Sequence, residues 1–99
     1  MAELTVIWWR DIPAQVVAKE GRESSKVVLD ERFQDAIDQA ATRIGLIGTD
    51  EYLAEWHRLS RICDPDLAAA AAAEASALEA AYPIERLAGL IRTGGLENG

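Results

Sequence analysis

One cysteine, one histidine, one phenylalanine and one methionine are all that this chain of 99 residues holds of those four types, and each scarcity removes a class of function. A lone Cys63 can form neither an internal disulfide nor a multi-cysteine zinc site, and a cytoplasmic setting is the simplest expectation. A lone His57 would need carboxylates alone beside it to hold zinc, and as a general base it lacks a sequence-local nucleophile or orienting partner. The longest apolar run, Leu67 to Ala73, falls far short of the roughly 20 residues that span a bilayer. No basic region followed by an apolar core opens the chain, so no signal peptide is expected.

Positive charge is also scarce. Ten lysines and arginines against 17 aspartates and glutamates give a formal net charge of −7 and a pI near 4.6. That balance argues against binding nucleic-acid phosphates and against attachment to an anionic membrane. Phosphate-binding loops, dinucleotide-binding glycine patterns, nucleophile elbows, zincin motifs and calcium loops are all absent. No catalytic residue, metal ligand or cofactor is therefore assigned, and the missing motifs count against an enzyme.

What the chain does have is concentrated near its start. In LTVIWWRDIPAQVV, Leu4, Val6 and Trp8 alternate with Thr5, Ile7 and Trp9, so both faces of a strand are apolar. Such a strand is central in its sheet or covered on both sides. Arg10 and Asp11 mark its exit, and Pro13 makes Asp11 to Pro13 a connection. Two further strands, Gln15 to Lys19 and Lys26 to Leu29, flank a polar, glycine-containing hairpin, although the first two strands could also be one bent element.

Helical spacing takes over from residue 31. Asp30 caps a helix to about residue 44 with Phe33, Ile37, Ala40, Ala41 and Ile44 on its apolar stripe. Thr49 caps a helix of about residues 50 to 61 carrying Tyr52, Leu53, Trp56 and Leu59. Asp64 and Pro65 restart the chain into an alanine-rich helix ending at Tyr82, and Ile84, Leu87, Ala88 and Ile91 form a last helix closed by Gly94 and Gly95. The expectation is a single α+β domain over residues 1–99. A strand-rich part (1–30) carries a small antiparallel sheet of about three strands. About four helices pack on it in a C-terminal half that is all helical (31–94), and residues 95–99 form a flexible tail.

The runs WWRDIPAQVVAKEGRESSK, LDERFQDAIDQAA and DEYLAEWHR together resemble the small virulence factor domain family, over roughly residues 3 to 62. In that family a strand ending in tryptophan and arginine leads into an I-P-A-Q-V segment. Its members occur as stand-alone small proteins and as a terminal domain of larger conserved virulence factors, and no catalytic residues come with the name. A loose association of the family also implies an alternative role as a small subunit of a metabolic enzyme assembly, in one-carbon or corrinoid-dependent methyl transfer.

The residues themselves point to a non-catalytic accessory or protein-interaction domain. Its expected binding surface lies at the end of the first strand, around Trp9, Arg10, Asp11 and Gln15, because loops at strand ends present functional side chains and aromatic and arginine residues anchor interfaces. Each has a structural alternative: a core tryptophan, a buried ion pair for Arg10, a turn for Asp11, a backbone-satisfied amide for Gln15. Lys19, Arg22 and Lys26 could join Arg10 in a local anion site, which would make the chain a small anionic-ligand-binding protein with Trp8 or Trp9 lining a pocket. An enzymatic reading requires Arg10, Asp11 and His57 to converge. A protein partner is expected, no nucleic acid and no membrane, and a homo-oligomer is compatible with the sequence.

Overall fold

The computed structural model describes residues 1–97. Its elements in chain order are β1 (Glu3–Trp9), β2 (Ile12–Glu20), β3 (Glu23–Val28), α1 (Glu31–Arg43), α2 (Asp50–Ala54), β4 (Trp56–Ile62), α3 (Leu67–Ala81) and α4 (Ile84–Arg92). The strands form one antiparallel sheet in the order β3-β2-β1-β4. The α+β class stands, but the sheet has four strands rather than about three.

The additional strand corrects the expected helix over residues 50 to 61 and the all-helical C-terminal half. Only α2 is helical there, with the Thr49 side chain accepting from Tyr52 N, and the chain then extends into β4. The segment WHRLSRI has apolar residues spaced for either structure, since Trp56 and Leu59 fit a helical stripe while Leu59 also alternates with Arg58 and Ser60. Long-range pairing decides between them. β1 is apolar on both faces and needs a hydrogen-bonding neighbour on each edge, and β4 supplies the second one, with Val6 opposite Leu59 and Trp8 opposite His57.

The connection between β1 and β2 is also shorter than expected. Arg10 and Asp11 alone make the turn, so Ile12 and Pro13 belong to β2, opposite Trp9 and Trp8. The register shifts between Ile7 and Trp8, leaving Ala14 as the extra residue of a bulge. Pro13 is tolerated at that irregularity because the β2–β3 ladder begins only at Gln15 and Val28, so no β3 carbonyl awaits its missing N–H.

The helices close one face of the sheet. Leu4, Val6, Val16 and Ala18 are buried there with Phe33, Ile37, Ala40 and Ala41 of α1, and Leu67, Ala71, Ala75 and Leu78 of α3. The alanines of α3 bring its backbone close to β2 and β3, and α4 packs on α1 through Leu87 and Leu90. Fully burying a side chain such as Phe33 stabilises the fold by about 2–3 kcal/mol. α3 starts two residues later than the expected Pro65, at Leu67: Asp66 caps it by accepting from Ala69 N, while Asp64 accepts from Asp66 N at 2.9 Å. No helix among the described residues is long and apolar enough to cross a membrane.

Candidate interaction site

The opposite face of the sheet carries no helical layer over most of its extent. Strand registers fix what it presents, because side chains alternate faces along every strand. Crossing from β3 to β4, one row reads Ser24, Lys19, Glu3, Ile62, the next Lys26, Val17, Thr5, Ser60, and the third Val28, Gln15, Ile7, Arg58. Thr5, Ile7, Gln15 and Val17 are half-buried by their neighbours, and the outer-strand residues are exposed. Thr5 Oγ1 and Ser60 Oγ lie 2.8 Å apart across the β1–β4 pair. All of these residues except Val28, Ser60 and Ile62 line a trough of about 690 Å³, whose rim adds Gly21 and Arg22 from the β2–β3 hairpin.

Charge is segregated on this surface. Lys19, Arg22, Lys26 and Arg58 meet a single carboxylate, Glu3, on a chain whose formal net charge is −7. None of the four cations has an ion-pair partner among the described residues. Lys19, Arg22 and Lys26 are thus brought together as the sequence grouped them, but the fourth cation is Arg58 rather than Arg10. Reading β4 as a strand is the signal that finds Arg58, since alternation then sets it beside Ile7.

A fourth row, Ile12, Trp9 and Trp56, continues the same face but is covered. Trp9 has 0% of its surface exposed, its Nε1 donates to Tyr52 O at 3.0 Å, and its ring packs 5.7 Å from that of Tyr52. Gly95 lies so close beneath it that an added Cβ would sit 2.7 Å from Trp9 Cζ3. Trp9 therefore presents nothing to a partner directly.

Arg10 and Asp11 hold this end of the sheet. Arg10 adopts a φ of 52°, at the first turn position where glycine is favoured in hairpins of this length. The left-handed conformation costs a non-glycine residue about 1–2 kcal/mol, and several contacts maintain it. Arg10 N donates to Glu55 O, its Nη1 donates to Gly94 O at 3.1 Å, and its Nε lies 3.2 Å from Glu55 Oε2. Asp11 N donates to Gly95 O at 2.8 Å, and its carboxylate accepts from Glu97 N at 2.7 Å. The expected free tail thus begins inside a lock, through Gly95 and Glu97, while residues 98 and 99 lie outside the described residues.

Around the corner of the β4 edge, Trp8, Arg10, Asp11, His57, Leu59, Tyr82 and Glu97 line a cleft of about 330 Å³. The rings of Trp8 and His57 are parallel within 5° at 6.5 Å, and Tyr82 meets Trp8 edge-on. Burial pushes the Tyr82 hydroxyl above its ordinary pKa, partly offset by the Arg86 guanidinium stacked 4.0 Å over its ring. Arg86 in turn pairs with Glu97, which raises its own pKa. Arg10, Asp11 and His57 do converge here. Even so, Arg10 is engaged by Glu55 and Asp11 by the Glu97 amide, and His57 has only Glu55 O near its Nδ1, at 3.3 Å. The cleft lining contains no serine, threonine or cysteine to serve as a nucleophile.

Gln15 is the one member of the sequence-derived set that lies on the uncovered face itself, between Ile7 and Val28. Trp56 is half-buried and meets Tyr52 edge-on. Cys63 is half-buried just after β4, its N–H donating to Ala2 O. Among the described residues no group of three or more His, Cys, Asp or Glu is arranged to hold a metal ion.

Comparison with known proteins yields no match among curated proteins and none among solved structures. One family model, described as "Virulence factor", does match, over residues 7–91. That span reaches beyond residue 62 and through the alanine-rich α3, so the helices that cover the sheet are part of what the family shares. With most of its length matched, the chain belongs to the virulence factor family.

Proposed function

We propose that this domain is a non-catalytic protein-interaction module that docks an acidic partner on the uncovered face of its sheet. One observation carries the reading: four free cations and four aliphatic side chains, Ile7, Val17, Val28 and Ile62, share a face that the helices leave open. An aliphatic floor with a charged rim of one sign is the anatomy of a protein interface. Trp9, Arg10 and Asp11 contribute by holding the end of that face rigid, and Gln15 supplies a central hydrogen-bonding amide. The single free thiol fits a reducing cytoplasm.

The test is a pull-down of the tagged protein from its native cytosol, compared with a folded Lys26→Glu/Arg58→Glu variant and with Arg43→Glu as a control for charge alone. A stoichiometric partner lost in the double variant and kept in the control supports the reading. Equal recovery by all three proteins overturns it.

A second reading, a small anionic ligand held by Lys19, Arg22, Lys26 and Arg58, draws on the same free cations. Calorimetric titration with inorganic phosphate separates the two, because saturable binding of phosphate alone favours the small ligand.

A further inference from the structure

β4 is an outer strand, and its burial pattern sets it apart from the rest of the sheet. Every residue from His57 to Ile62 is exposed, including Leu59 at 60% and Ile62 at 63%. Two backbone hydrogen bonds at the ends of the β1–β4 ladder fix which groups point where: Arg10 N donates to Glu55 O, and Cys63 N donates to Ala2 O. Along an antiparallel strand the N–H and C=O of one residue point to the same edge and alternate with those of the next. His57, Leu59 and Arg61 therefore face β1. Arg58, Ser60 and Ile62 turn their N–H and C=O groups outward, and these have no backbone partner among the described residues.

An uncovered edge of this kind is a template for another strand. Its chemistry narrows the choice of occupant. The row of alternating amide donors and carbonyl acceptors matches a polypeptide backbone, not a phosphodiester. β4 carries Arg58, Arg61 and His57 and no carboxylate, so a second copy would bring a second set of the same cations to the seam. Arg61 is paired with Glu74, but Arg58 has no ion-pair partner among the described residues. The exposed Leu59 and Ile62 ask for aliphatic neighbours on opposite faces of the added strand.

We infer that β4 is the seat of β-strand addition, and that the partner is an extended polypeptide segment combining acidic side chains with aliphatic ones on both faces, which becomes a fifth strand beside Arg58, Ser60 and Ile62. The inference rests on the protein-interaction reading and deepens it: the added strand extends the uncovered face at its Arg58 border, beside Arg58, Ser60 and Ile62. Backbone hydrogen bonds supply the affinity and Arg58 selects the acidic sequence.

The test uses the heptapeptide Val-Glu-Thr-Val-Glu-Asp-Val, which sets a carboxylate beside Arg58 and Arg61 and valines beside Leu59 and Ile62 in antiparallel register. Titration into the isotope-labelled full chain is followed by amide NMR shifts and hydrogen exchange. The expected result is that the amides of Arg58, Ser60 and Ile62 shift and exchange more slowly, with little change at His57, Leu59 and Arg61. Ser60→Pro removes an outward N–H along with the Thr5 contact and should weaken binding about tenfold, the loss expected for one good hydrogen bond. Ser60→Ala, which removes the Thr5 contact alone, should bind as the parent does. Arg58→Glu is a second, exposed variant should Ser60→Pro fail to fold, and it should also lose about tenfold.

Equal binding of a lysine-for-acid peptide, or unchanged exchange at the three outward amides, overturns the inference. So does a dimer whose outward amides are protected without peptide, which would make a second copy the occupant. Should native partner capture fail with Lys26→Glu/Arg58→Glu yet survive Ser60→Pro, strand addition is wrong and face docking stands. Insensitivity of that capture to both variants removes both readings.

Discussion

The two faces of the sheet are built from the same strands, yet they are closed by different chemistry. On the covered face the central positions Leu4, Val6, Val16 and Ala18 are aliphatic and buried under α1 and α3. On the other, aliphatic residues alternate with Thr5, Gln15, Ser24 and Ser60 and with a rim of cations. A face of the first kind must be covered for the chain to fold, because its apolar area is the main favourable term. A face of the second kind tolerates water while retaining enough aliphatic floor to reward a partner. Trp9 is the exception that makes the comparison sharp: its register assigns it to the open face, but the chain folds Tyr52 and Gly95 over it.

The largest expected effect tests that exception. Trp9→Ala should cost about 3–5 kcal/mol, as for a large aromatic in a core, whereas Thr5→Ala on the same face should fall within about 0.5 kcal/mol of the parent. Urea unfolding of the two variants measures both. A small loss at Trp9 would mean that the covering is loose and that the open face runs to the end of β1. Gly95→Ala comes next. Its φ of 93° disfavours a side chain, and the new Cβ would press on the Trp9 ring, so a loss of about 1–3 kcal/mol is expected. Pairing it with Trp9→Leu, which frees space, should recover part of the loss if the ring contact is the cause.

How much of this was legible beforehand follows from where the determining contacts lie. The amphipathic stripe of α1 with its Asp30 cap, the alanine helix α3 and the two-sided apolar β1 are local patterns, and each is present in the structure. β4 was hidden because its seven residues carry a spacing that serves helix and strand equally, and its conformation is fixed by β1, about fifty residues away. The same hidden strand obscured Arg58 as a member of the basic face. The turn at Arg10 was hidden for another reason: an arginine at positive φ contradicts local preference and persists through Glu55 and Gly94, both remote in sequence. Gln15 was placed by its neighbours in the motif, and its position on the open face follows from simple alternation along β2.

Reversing charge at Lys26 sharpens the comparison from the other side. Lys26 is exposed and without an ion pair among the described residues, so Lys26→Glu should leave urea stability within about 0.5 kcal/mol while reducing recovery of an acidic partner. A large stability loss would show that the face is a structural element rather than a free surface.

The smallest effect concerns the covered side of the β4 edge, where Tyr82 closes the cleft between Trp8 and Arg86. Burial raises its hydroxyl above the ordinary value of 10.0, and the cation of Arg86 works in the opposite direction. Below pH 10 the phenol is neutral in both the folded and unfolded chains, so it adds no pH dependence. Above that point the unfolded chain loses the proton first, the folded chain holds more protons, and stability falls as pH rises toward the folded value. Tyr82→Phe should therefore flatten the alkaline limb of the stability curve, and phenolate absorbance of the parent should show one tyrosine titrating later than in the unfolded chain. If the limb is unchanged in the phenylalanine variant, the cleft admits water around Tyr82 and the helix-covered side of the edge is more open than its packing indicates.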